Sequence, residues 1–123
     1  MKIAISTSAP QLDAQFNPRF GRCAYFVIVD TDTRQWDAYP NPAASAGGGA
    51  GPQAVQFISN HGAQAVVSGG FGPNAYDAIQ AAGLQIYTAH GGTAASLVDD
   101  FVAGKLNMVT QATNTGHHGG GRW

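Results

Sequence analysis

Glutamate is absent from this chain, cysteine occurs once, and only 11% of residues are charged. Each shortage excludes a chemistry. A single thiol, Cys23, rules out a disulfide within the chain and any four-thiolate zinc or iron–sulfur site. Without glutamate, acid–base or two-metal catalysis would need a pair among Asp13, Asp30, Asp32, Asp37, Asp77, Asp99 and Asp100, and none is suitably placed. GxSxG, Walker A and complete GxGxxG motifs are all missing. A net charge of −1 with six Lys plus Arg argues against phosphate-backbone binding, so no nucleic-acid partner is expected. No apolar run is long enough to cross a bilayer, so no membrane partner is expected. Met1-Lys2-Ile3 leads directly into a strand-like segment without a signal-peptide core, which makes the cytoplasm the expected location. The shortage of catalytic groups points to a binding protein and not an enzyme.

What is present fits one small α/β domain over residues 1–105, followed by a polar, Gly/His-rich tail, 106–123, read as mobile. Segment 2–6 alternates as a strand, 24–30 is a continuous β-branched and aromatic run, and 34–39 alternates again, closing a hairpin. Short buried strands are expected at 64–68 and 84–88. Three helices follow glycine-rich loops. The first is expected to open at Pro52, the second at Pro73, and the third after Gly91-Gly92-Thr93. His61, beside Gly62, reads as a C-cap or surface residue of the first helix.

Topology then gathers the loops. The first, third, fourth and fifth strands should run parallel, with the second antiparallel. Ser6, Thr7 and Ser8, then Arg19, Phe20, Arg22 and Cys23, fall at one sheet edge. So do the glycines Gly47 to Gly51, with Gly49 and Gly51 nearest the helix, and Gly70, Phe71 and Gly72. His90, Gly91, Gly92 and Thr93 join them. Carboxyl ends of strands, glycines and helix N-termini together make an anion site. Asp13 is the one acid expected near this edge. Cys23 is either a plain buried cysteine or, if it faces the cleft, a thiol of lowered pKa. No firm metal ligand stands out; His90, His117 and His118 are the remaining candidates, with structural or tail roles as alternatives.

The ordered set KIAIS, FGR at Phe20 to Arg22, AYFVIVD, Asn41-Pro42-Ala43-Ala44, Gly49-Ala50-Gly51, GGFGPNA, AAGLQIY and GGT resembles the nitrogenase iron–molybdenum cofactor-binding family over residues 1–105. The resemblance implies a three-layer, ribonuclease H-like fold with a mixed five-stranded sheet of order 3-2-1-4-5, strand 2 antiparallel, and three helices. It implies non-covalent carriage or storage of a molybdenum-containing metal–sulfur cluster. Likeness to the family's small orange proteins implies a molybdenum–copper sulfide, with a cluster of the iron–molybdenum type as the alternative. Phe20 and Phe71 would supply an apolar wall. A protein such as an ATPase or a cluster-assembly protein is a further candidate partner. Two other functions fit the same edge: an interaction module that keeps only the fold, and a binder of a phosphate-bearing metabolite.

Overall fold

The computed structural model describes residues 1–45 and 49–109. Six strands form one sheet: β1 (Lys2–Thr7), β2 (Tyr25–Asp30), β3 (Trp36–Pro40), β4 (Ala65–Ser68), β5 (Gln85–Thr88) and β6 (Asn107–Met108). Helices α1 (Ala50–Asn60), α2 (Pro73–Ala81) and α3 (Ala94–Val102) alternate with the later strands. The sheet order is β3-β2-β1-β4-β5-β6. β1 pairs in parallel with β4 and β4 with β5, while β2 and β6 run antiparallel to their neighbours.

The sheet therefore has six strands and not the expected five. The additional strand pairs only Thr88 with Asn107 and Tyr87 with Met108, too short a ladder to show alternation in the sequence. Val109 continues the attachment, its N–H donating to the Ile86 carbonyl at 2.8 Å. The chain thus joins the sheet beyond residue 105; residues 110–123 of the expected tail lie outside the described residues.

Alternation sorts the strand side chains into two cores. Ala4, Phe26, Ile28, Val66 and Ile86 meet Ala54, Val55 and Ile58 of α1 and Ala75 and Ile79 of α2. Ile3, Ile5, Val27, Val29 and Val67 meet Ala94, Leu97 and Val98 of α3 on the opposite face. Three layers result. Burying a Leu or Val side chain contributes about 1.5–3 kcal/mol, so these paired faces fix which side each helix takes.

α1 begins at Ala50, two residues before the expected Pro52. Proline is tolerated there because first-turn N–H groups have no intrahelical partner. Gly49 makes the entry in the left-handed region, at φ 70°. Glycine also permits close approach elsewhere: a Cβ on Gly69 would lie 2.5 Å from the Pro18 Cβ. We predict that Gly69→Ala destabilises the fold by about 1–3 kcal/mol in urea unfolding, the usual cost of overpacking. Wild-type stability in that variant would contradict the described contact.

Candidate functional site

The long segment between β1 and β2 divides into halves with different tasks. Its first half lies over α3. Thr7 bridges to Phe16, and Gln15 to Thr93. The Ala14 carbonyl accepts from Ala94 N–H at 3.1 Å, and the Leu12 carbonyl accepts from Ala95 N–H at 2.8 Å. Ser96 N–H donates to Thr93 Oγ1 at 3.2 Å, and Thr93 N–H returns a bond to Ser96 Oγ at 3.0 Å. The first-turn donors of α3 are therefore consumed within the protein.

The second half, Asn17 to Cys23, is held at the carboxyl ends of β1 and β4. Ser6 Oγ, fully buried, donates to the Asn17 carbonyl at 2.6 Å and lies 2.8 Å from Ser68 Oγ. Ser68 Oγ, 3.3 Å from the Pro18 carbonyl, shares its one proton between that oxygen and Ser6 Oγ. Asn17 N–H donates to the Ser6 carbonyl at 2.8 Å, and Arg19 bridges to Gly70. At the far end, the buried amide of Asn41 donates to the carbonyls of Gly21, at 3.1 Å, and Cys23, at 2.9 Å. Its oxygen accepts from Ala43 N–H at 3.0 Å.

These anchors leave a groove between the Asn17–Cys23 loop and the first turns of α1 and α2. One section, of about 230 Å³, is lined by Arg19, Phe20, Gly70 and Phe71 among others. The adjoining section, of about 280 Å³, is lined by Gly49, Ala50, Gly51, Pro73 and Asn74 among others. Gly21, Arg22, Gly72 and Ala75 line both. Phe20 and Phe71 are buried with ring centroids 5.6 Å apart, and Phe26 lies 5.5 Å from Phe20. The groove thus has an apolar floor. Arg19 and Arg22 are exposed on its rim, and among the described residues no carboxylate lines either section. Among the described residues no side chain caps α1 or α2, in contrast to α3. Helix N-termini carry partial positive charge, so rim and walls share one sign.

Of the residues expected at this edge, Arg19, Phe20, Arg22, Gly49, Gly51, Gly70, Phe71 and Gly72 are brought together. The others are not. Ser6 is spent on the loop, Thr7 is buried with its hydroxyl on the Ala9 carbonyl at 2.9 Å, and Ser8 N–H pairs with Gln15. His90, Gly91, Gly92 and Thr93 flank the closed α3 entrance, as does exposed Asp13. Gly47, Gly48, His117 and His118 lie outside the described residues. His61 is the C-cap of α1, its Nδ1 2.9 Å from the Phe57 carbonyl and its ring against Tyr39. No group of three His, Cys or Asp side chains suited to a metal ion occurs among the described residues. Asn41 and Ser68 are absent from the expected site residues, yet they set the loop. Their signals in the sequence are the Asn41-Pro42-Ala43-Ala44 motif and the strand end at Ser68.

Cys23 resolves to the buried alternative. It is 0% exposed, with Sγ 3.4 Å from the Phe20 carbonyl. Burial pushes its thiol from 9.0 up to about 12. Burial thus keeps it in the neutral thiol form at neutral pH.

The fold and the groove define a small α/β protein with a glycine-lined, electropositive recess at the carboxyl edge of its sheet. The chain belongs to the dinitrogenase iron-molybdenum cofactor family, whose model matches residues 1–104. Among solved structures it is similar to the apo form of the orange protein from Desulfovibrio gigas, at 35% identity and a TM-score of 0.88, covering 91% of this chain and 95% of that one. It is also similar to a Thermotoga protein ascribed to NifB, at 30% identity and a TM-score of 0.77, covering 97% and 98%. An uncharacterised protein of Methanocaldococcus jannaschii is 29% identical over 109 residues, 86% of this chain and 89% of its own length.

The thiol gives a pH test. Between the unfolded pKa near 9.0 and the folded value of about 12, the native state keeps a proton that the unfolded chain has lost. Stability therefore falls as pH rises through that window, by up to about 1.4 kcal/mol per pH unit. Urea unfolding from pH 8 to 11 should show a decline that Cys23→Ala flattens. Parallel curves for the two proteins would contradict the burial.

Proposed function

We propose that the protein binds and carries an anionic, molybdenum-containing metal–sulfur cluster, in the manner of a molybdenum–copper sulfide, and catalyses no reaction. The observation that carries this reading is the character of the groove: amide donors and two arginines around an apolar floor, with neither a carboxylate nor an accessible thiolate among the described residues. A cationic metal ion or an iron–sulfur core needing protein thiolates does not fit that donor set. A thiometallate does, because it brings its own sulfides and negative charge. Family membership and the likeness to the orange protein of Desulfovibrio gigas support the same choice. The ribonuclease H-like assignment belongs to this reading too, supported by the 3-2-1-4-5 core of the sheet with β2 antiparallel.

In this reading Arg19 and Arg22 hold the cargo's charge, and the first-turn N–H groups of α1 and α2 donate to its sulfides. Phe20 and Phe71 exclude water beneath it. Anaerobic mixing with tetrathiomolybdate and copper(I), followed by desalting, should leave visible absorption on the protein. The Arg19→Gln, Arg22→Gln double variant should bind at least tenfold more weakly, since a hydrogen bond to a charged group is worth about 1.5–3 kcal/mol. Protein that emerges colourless, or that is stabilised in thermal melts by inorganic phosphate and not by the cluster, would overturn the reading.

A further inference from the structure

The glycines in and beside the groove are glycine for different reasons. At Gly51 a Cβ would lie 2.8 Å from the Ala75 Cβ, so packing between α1 and α2 excludes a side chain. Gly69 is excluded in the same way by Pro18. Gly49 occupies the left-handed region. None of these reasons applies to Gly72. Its φ of −68° and ψ of 169° are ordinary extended backbone, and a Cβ there would meet no heavy atom within 4 Å.

Gly72 is moreover the N-cap of α2, where Ser, Asp and Asn are preferred because their side chains bond the first-turn N–H groups. The corresponding residue of α3 is Thr93, and it does so. Glycine is itself accepted at N-caps, but Asn or Asp would cap α2 somewhat better, packing permits a side chain at position 72, and the chain has none. Gly72 also lines both sections of the groove.

We propose that Gly72 is the specificity-determining position of the groove. Its missing side chain joins the two sections into one recess and leaves the N–H groups of Asn74 and Ala75 to the ligand. The inference rests on the cluster-carrying reading and adds that a single anion spans both sections. Asn or Asp at this position would act twice. Each would occupy the junction, and its side-chain oxygen would take the amides intended for the cargo. The two have nearly equal volume, and Asp alone adds a negative charge.

The test compares wild type, Gly72→Asn, Gly72→Asp and Gly91→Ala. A Cβ on Gly91 would also meet nothing within 4 Å, but it flanks the closed α3 entrance. Thermal melting without ligand is measured first, then anaerobic titration with tetrathiomolybdate and copper(I). Both Gly72 variants should melt at or above the wild-type temperature. Affinity should fall at least tenfold in Gly72→Asn, further in Gly72→Asp, and not at all in Gly91→Ala. A Gly72→Asn protein that melts well below wild type, or binds as wild type does, overturns the inference. A wild type that gains no absorption overturns the cluster reading and this inference with it, whereas coloured wild type beside equally coloured variants overturns this inference alone.

Discussion

The pinning of the Asn17–Cys23 loop to the carboxyl ends of β1 and β4 is the constraint on which the groove depends. Ser6 and Ser68 are both fully buried. A buried hydroxyl without a partner costs about 1–3 kcal/mol, and here the hydroxyls reach each other and the carbonyls of Asn17 and Pro18. Gly69 lets Pro18 approach closely enough for those bonds to form. Asn41 fixes the other end through Gly21 and Cys23. A segment bound at both ends by buried polar contacts presents Arg19 and Arg22 in a defined place beside the first turns of α1 and α2.

The same stretch of chain explains why one helix entrance is closed and two are open. Carbonyls of Leu12 and Ala14, together with Thr93 and Ser96, satisfy the α3 donors. Loop residues beside α1 and α2 instead approach with glycine, Gly21 lying so near that a Cβ would be 3.2 Å from Gly51 N. Closing α3 with backbone carbonyls stabilises the domain. Leaving α1 and α2 uncapped gives up some of that stability and concentrates positive character in one recess. Cys23 is fully buried in the core, with its Sγ 3.4 Å from the Phe20 carbonyl.

Much of the fold was legible because its elements repeat strong local signals. The run Tyr25–Asp30, alternation in Lys2–Thr7, and the Gly-Pro start of α2 each name their element from sequence. β6 was not, since two residues carry no period. At the site, sequence placed all the loops at one edge but assumed that every helix start there stays open. Whether amides are free depends on distant carbonyls, and the contacts of Leu12 and Ala14 with α3 cannot be read from residues 7–23 taken alone. The serines were misplaced for a related reason. Ser6 lies at the right edge, but the pleat turns it into the sheet–loop junction, where it supports Asn17 and does not meet solvent.

Residue-level NMR measures the central claim most directly. Backbone amide shifts would be recorded on the full chain before and after anaerobic loading with tetrathiomolybdate and copper(I). The account predicts large changes at Gly21, Arg22, Ala50, Gly51, Asn74 and Ala75, with Ala94, Ala95 and Ser96 unmoved. Changes concentrated at the α3 entrance, or at His117 and His118, with the groove amides silent, would contradict it.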